Sequence, residues 1–61
     1  MTGRCWWAVK GVDITGHAVW SVRIRADTRR AAKRRAERKY LGLLPIAYRV
    51  LARQIPGGKW V

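Results

Sequence analysis

Residues 19–26 read VWSVRIRA, and their alternation of side chains constrains the fold more than any other stretch of the chain. One face carries Trp20, Val22, Ile24 and Ala26, and the other carries Ser21, Arg23 and Arg25. A period of two sustained over such a run is typical of a half-buried strand. A chain of 61 residues can cover the apolar face only within one small core, since a domain of this size buries about 60% of its unfolded surface. We therefore predict one compact domain over residues 1–61, with flexible ends at 1–4 and 56–61.

A second strand precedes this one in the chain. The segment Cys5–Lys10 is aromatic and β-branched, and the turn-forming residues from Gly11 to His17 connect it to the alternating run. We therefore predict a β-hairpin formed by the two segments. The pairing places Cys5, Trp7 and Val9 on the core face, and Trp6, Ala8 and Lys10 on the opposite face.

The segment Thr28–Leu41 contains neither Gly nor Pro and is predicted to be a helix. Asp27 and Thr28 offer a side-chain oxygen for the N-cap, and Gly42 suits the C-terminal end. One stripe holds Ala32, Ala36, Tyr40 and Leu43, and another holds Arg30, Arg34 and Arg38. The small alanine side chains allow the helix to approach a sheet closely, which leaves volume in the core for tryptophan.

The segment Pro45–Ile55 has two interpretations. As a strand it directs Ile46, Tyr48, Val50 and Ala52 inward, and Arg49, Leu51 and Arg53 outward. As a helix it begins at Pro45 and turns Leu44, Ala47, Leu51 and Ile55 to one face. We favour the strand, because a hairpin with a single helix is poorly supported, whereas three strands with an apolar face can fold independently. The predicted fold is a small α+β domain of order ββαβ, and the alternative is ββαα.

In the ββαα alternative, the sequence Val22-Arg23-Ile24-Arg25 followed by two helices around Gly42 resembles the ribbon-helix-helix repressors. The resemblance implies a dimer in which this strand pairs with its twin, and in which Arg23 and Arg25 enter the major groove of DNA. The N-terminal strand departs from that pattern, because it competes for the strand edge that the twin must occupy.

The chain carries 14 Lys and Arg against three Asp and Glu, which gives a formal net charge of +11. Such a field requires an anionic partner. Arginine binds phosphate through a fork of N–H donors, and an exposed tryptophan can stack on a base. We predict a small, strongly basic protein that binds nucleic acid, DNA or RNA, chiefly through its phosphates. The alternative is an inhibitor or adaptor that docks its cationic surface on an acidic partner protein.

Two basic surfaces are candidates for the binding site. The first is the sheet face away from the helix, with Trp6, Lys10, Arg23, Arg25, Arg49 and Arg53. The second is the helix surface with Arg30, Arg34, Arg35 and Arg38. We expect these surfaces to lie on opposite sides of a thin domain. We favour the sheet face, because its arginines lie on rigid strands next to a tryptophan. A homodimer that buries Trp6 is a further alternative.

Residues suited to catalysis and metal binding are scarce in this chain. Asp13, His17 and Ser21 are the residue types of a catalytic triad, but a hairpin loop and a strand are not expected to hold them together. One Cys and one His cannot complete a zinc site with four ligands. We therefore predict a non-enzymatic protein with no catalytic residue, no metal and no cofactor.

The single cysteine, Cys5, excludes an intrachain disulfide and fits a reducing compartment. We expect it to pack as a small hydrophobic side chain. The N-terminal residues lack the apolar core of a signal peptide, and no apolar run approaches the roughly 20 residues that span a bilayer. We therefore expect a cytoplasmic protein that does not insert into a membrane.

Overall fold

The computed structural model of this chain describes residues 5–40, 42–43 and 46–61. Its elements are strand β1 (Cys5–Val12), strand β2 (Ala18–Ala26), helix α1 (Arg29–Lys39) and strand β3 (Arg49–Ile55). The order confirms the predicted ββαβ domain of the α+β class. The ββαα alternative is wrong, because Arg49–Ile55 pairs with β1 as a strand. The predicted flexible end at 1–4, the predicted helix end at Leu41 and the predicted start of the third strand at Pro45 lie outside the described residues.

The three strands form an antiparallel sheet in the order β2-β1-β3, so that β1 is central. Val9 on β1 lies opposite Val22 on β2 and Ala52 on β3, and it is fully buried. This register confirms which residues of the hairpin share a face. The buried core consists of Trp7, Val9, Ile24, Ala26, Ala32, Ala36 and Ala52.

Helix α1 begins at the predicted N-cap. The Thr28 side chain accepts a hydrogen bond of 3.1 Å from the Ala31 N–H. Ala32 and Ala36 are both 0% exposed, which confirms the predicted apolar stripe at these positions. The stripe does not extend to Leu43, which is 77% exposed, because the helix ends at Lys39 and Gly42 adopts a φ of 77°.

Strand β3 is shorter than predicted. Val50 and Ala52 face the core as expected, but Ile46 is 99% exposed and Tyr48 is 67% exposed. The inward orientation predicted for those two side chains is therefore wrong. The reason is that β1 ends at Val12, whose carbonyl accepts a hydrogen bond from the Tyr48 N–H, and beyond it no strand remains to pair with the chain.

The chain turns back on itself after β3. The Gly58 N–H donates to the Gln54 carbonyl at 2.8 Å, and Val61 exchanges two hydrogen bonds of 3.2 Å with Ala52. The last residues therefore run along the outer edge of β3. Because Val61 lies opposite a core residue, its neighbour Trp60 projects to the other face of the sheet. That 56–61 is a flexible end stays a prediction.

Replacing Gly11 with alanine should destabilise the domain by about 1–3 kcal/mol, because overpacking is costly in a close-packed core. A Cβ atom at this position would clash with the Trp20 indole and with the Ala47 side chain. The measurement is the free energy of unfolding by urea. In a Trp20→Val background, the same Gly11→Ala change should cost less, since the indole no longer fills the space. Equal costs in the two backgrounds would contradict this account of the glycine.

Candidate functional site

Helix α1 covers one face of the sheet and leaves the other uncovered. We call this second face the open face. The register places on it Trp6, Ala8, Lys10, Ser21, Arg23, Arg25, Arg49, Leu51, Arg53 and Ile55. All six residues predicted for the first basic surface are among them. The open face so defined contains no Asp or Glu, so its positive charge is not offset by a carboxylate of its own strands.

One end of the open face is occupied by the C-terminal segment. The Trp60 ring lies under the Lys10 ammonium, 4.2 Å from the ring centroid, and under the Arg53 guanidinium at 5.4 Å. Both cations are half-buried there. Such cation–π contacts stabilise a fold by about 0.5–1 kcal/mol each at exposed sites. Lys10 and Arg53 therefore already have an aromatic partner, and are less accessible to a ligand than the arginines of β2.

The opposite end of the open face continues into a cleft of about 570 Å³ at the free edge of β2. We call it the edge cleft. The residues that line it are Trp6, Arg23, Ile24, Arg25, Arg35, Arg38 and Lys39. Strands β1 and β2 form one wall and helix α1 forms the other. The Arg35 Nη1 atom donates to the Arg25 carbonyl at 3.1 Å and so joins the two walls.

The edge cleft joins parts of the two basic surfaces. Arg35 and Arg38 of the helix line the same cleft as Arg23 and Arg25 of the sheet, whereas Arg30 and Arg34 do not line it. The expectation that the sheet face and the helix surface are separate therefore does not hold at this edge. At about 100° per residue, Arg35, Arg38 and Lys39 occupy a sector of about 100° of the helix circumference, and Arg30 and Arg34 lie outside that sector.

A second depression adjoins the edge cleft on the open face. It has a volume of about 360 Å³ and is lined by Trp6, Arg23, Ile55 and Pro56. We call it the apolar depression, because three of its four lining residues are apolar. Trp6 and Arg23 line both hollows and form the wall between them. The Trp6 side chain is 52% exposed, so its ring is accessible to a ligand. Its backbone belongs to the central strand β1.

Among the described residues that line the two hollows, four were absent from the predicted site: Ile24, Lys39, Ile55 and Pro56. Trp60, which contacts Lys10 and Arg53 on the open face, was absent from it as well. No periodicity in the sequence assigns Trp60 to the sheet, since its face depends on the turn that folds the tail back. Lys39 lies within the predicted helix Thr28–Leu41, but whether it reaches the cleft depends on how the helix lies along β2.

The polar residues of the hairpin turn stabilise the turn itself. Asp13 Oδ1 accepts hydrogen bonds from the Thr15 N–H, the Thr15 hydroxyl and the His17 N–H. These bonds, with the Thr15 hydroxyl bond foremost, lower the pKa of the Asp13 carboxyl below its usual value. The His17 Nδ1 atom shares a 2.7 Å hydrogen bond with the Thr15 hydroxyl. Ser21, the third residue type of a triad, lies on the open face of β2.

The remaining groups with potential chemistry are few. Cys5 is half-buried against the core, and its Sγ atom accepts a hydrogen bond from Gln54 Nε2. Among residues 5–40, 42–43 and 46–61, no cluster of three or more His, Cys, Asp and Glu side chains could hold a metal ion. The described helix is neither long enough nor apolar enough to cross a membrane.

Comparison with models of known protein families, with curated proteins and with solved structures finds no match for this chain. Its function must therefore be inferred from the geometry and chemistry of the two hollows and the open face.

Not every arginine is free to meet a ligand. Arg29 donates from Nε to the Ala52 carbonyl at 3.2 Å and from Nη2 to the Lys59 carbonyl at 3.5 Å. Its guanidinium also lies 5.4 Å from the centroid of the Trp7 ring. Arg29 thus connects the start of α1 to β3, to the C-terminal segment and to the core. Its neighbour Arg30 is exposed.

Replacing Arg29 with methionine should destabilise the domain by about 1–3 kcal/mol, since hydrogen bonds from a charged donor to carbonyls of β3 and of the C-terminal segment are lost. The matched control is Arg30→Met, which removes the same charge from an exposed position and should change stability by no more than about 0.5 kcal/mol. Urea unfolding of both variants provides the comparison. Equal stability of the two variants would show that the Arg29 contacts do not hold the helix to the sheet.

Proposed function

We propose that this protein binds nucleic acid, chiefly through the backbone phosphates, at the edge cleft and the adjoining open face. The observation that carries the proposal is the convergence of five cations from two different elements on one concave surface. Those cations are Arg23, Arg25, Arg35, Arg38 and Lys39. In the part of the chain that the structure describes, no carboxylate lines the cleft.

Like charges on one concave surface repel one another, and the repulsion is relieved when a polyanion enters. Four of the five cations are arginines, whose planar guanidinium groups bind phosphate oxygens in pairs. Ordered elements carry them, because β2 is paired with β1 and α1 is packed on the sheet. A series of phosphates along one strand can therefore be contacted at little further cost in backbone order.

In this proposal the protein is a binding module and not an enzyme. Phosphate contacts position a protein on nucleic acid but carry little sequence information, so we expect affinity with weak sequence preference. Its single cysteine is compatible with a reducing, cytoplasmic setting. An acidic protein surface is the competing partner, and nuclease treatment of a lysate pull-down separates the two.

Binding to nucleic acid should weaken linearly on a plot of log affinity against log salt concentration, because each neutralised phosphate releases condensed counterions. About four contacts give a slope of about −3 to −4 on duplex DNA and about −3 on a single strand. Fluorescence anisotropy of a labelled oligonucleotide in a salt series measures the slope. Affinity that does not change with salt would contradict phosphate binding. A lysate pull-down in which the same partners survive nuclease treatment would favour an acidic protein.

Removing the cations of the edge cleft should weaken binding several-fold more than removing cations elsewhere on the helix. The test variants are Arg23→Gln with Arg25→Gln, and Arg35→Gln with Arg38→Gln. The matched control is Arg30→Gln with Arg34→Gln, whose side chains do not line the cleft.

Each of these pairs removes two charges from the protein, so that the long-range field changes equally and any difference in affinity reports contact. Affinities are measured on one oligonucleotide at one salt concentration. The proposal requires both cleft pairs to bind more weakly than the control pair. Greater damage from the control pair would assign binding to the outer surface of the helix.

A further inference from the structure

The two hollows on either side of Trp6 differ in character, and the difference matches the two parts of a nucleotide. The edge cleft presents Arg25, Arg35 and neighbouring cations, which suit a phosphate. The apolar depression presents Ile55 and Pro56, which suit the flat, weakly polar surface of a base or sugar. The ring of Trp6 lies between the two hollows and is half exposed.

We infer that the site takes single-stranded nucleic acid, with a base stacked on Trp6 in the apolar depression and the adjoining phosphates in the edge cleft. The inference rests on the proposed function and specifies its ligand. Arg23 lines both hollows and so lies where a base joins its own phosphate. A strand held in this way passes over the end of β1 and along the free edge of β2.

The interior of a duplex cannot use both hollows at once. Inside a double helix each base is stacked on both neighbours and paired at its edge, so that only the terminal base pairs leave a face accessible to an indole ring. A duplex can place phosphates in the edge cleft but leaves Trp6 and the apolar depression uncovered. A single strand can offer both groups, and each stacked base adds about 5- to 150-fold in affinity.

The position of Trp6 favours this use of the ring. The residue lies on the central strand, opposite Arg25 on one side and Ile55 on the other. Its backbone is therefore fixed by pairing on both sides, and little entropy is lost when a base settles on the ring. By contrast, Trp60 on the same face is already covered by Lys10 and Arg53.

The test compares three probes of equal length, about 10 nucleotides, at elevated salt where phosphate contacts contribute less. The first is a single strand of mixed sequence, in DNA and RNA versions. The second is a single DNA strand without bases, which keeps every phosphate. The third is the corresponding DNA duplex. Anisotropy measures the affinity of the intact protein for each, and the DNA and RNA versions show whether the sugar matters.

Four proteins are compared on these probes: the unaltered chain, Trp6→Leu, Trp6→Phe and Tyr48→Leu. Tyr48 is an exposed aromatic residue that lines neither hollow, and its replacement is the matched control. Thermal unfolding shows whether each variant is folded. Trp6 is half exposed and Trp6→Phe keeps an aromatic ring, so we expect this variant to fold. If Trp6→Leu does not fold, the comparison is made with Trp6→Phe.

The inference requires the unaltered protein to bind the base-bearing strand at least about 5-fold more tightly than the strand without bases, and more tightly than the duplex. Trp6→Leu should abolish that preference without changing affinity for the strand without bases. Trp6→Phe should retain part of it, and Tyr48→Leu all of it.

Two outcomes overturn the inference. In one, Trp6→Leu weakens binding equally with and without bases; in the other, the duplex binds as tightly as the single strand. Either result leaves phosphate binding intact. If none of the probes binds in a saturable, salt-dependent way, the proposed function itself is wrong.

Discussion

The close packing of Ala32 and Ala36 against the sheet determines how the rest of the domain is arranged. Both methyl groups are fully buried, and this fixes the rotation of α1 about its own axis. With the alanines inward, helical geometry sends Arg35 and Arg38 to the side that faces β2. It sends Arg29 to the side that faces β3 and the C-terminal segment. The positions of Ala32 and Ala36 thus determine which helix cations contact other parts of the protein and which line the edge cleft.

The cations consequently fall into groups with different roles. Arg29 satisfies carbonyls of β3 and the tail and covers Trp7, so it substitutes for apolar contacts that a short chain cannot supply. Lys10 and Arg53 cover the Trp60 ring in the same manner. Among the described residues that line the edge cleft there is no carboxylate; its Lys39 ammonium lies 5.6 Å from the centroid of the Tyr40 ring, and its Arg35 donates to the Arg25 carbonyl. The positive charge of the edge cleft is therefore compensated less than the positive charge of Arg29, Lys10 and Arg53.

The local features of this fold could be predicted from the sequence because they depend on neighbouring residues alone. Alternation assigned Trp7 and Ile24 to the core face, and the Thr28 hydroxyl marked the start of the helix. The errors at Ile46 and Tyr48 have a different origin, since the length of a strand depends on how far its partner extends. A pattern within residues 45–55 contains no information on where β1 ends.

The candidate site was predictable only where it depends on neighbouring residues. The prediction missed the features that depend on how distant elements pack together. The register of the hairpin placed Trp6 with Arg23 and Arg25 on one face, as the alternation indicated. The edge cleft could not be foreseen, because it requires the sheet order β2-β1-β3 and the course of α1 along the free edge. The apolar depression requires the turn after Ile55 as well. Each of these is a property of the assembled domain.

The charge on which the proposed function rests also weakens the isolated domain. A net charge of +11 on 61 residues is self-repulsive, and among the described residues Val9 is the only fully buried side chain larger than alanine. Typical stabilities correspond to about 3–9 kcal/mol for a chain of this length. A ligand present at 100 times its dissociation constant adds about 2.7 kcal/mol to the folded state. A bound polyanion would therefore supply a substantial fraction of the stability, because it neutralises the cations whose repulsion opposes folding. If the proposed function is correct, the anionic partner stabilises the fold that recognises it.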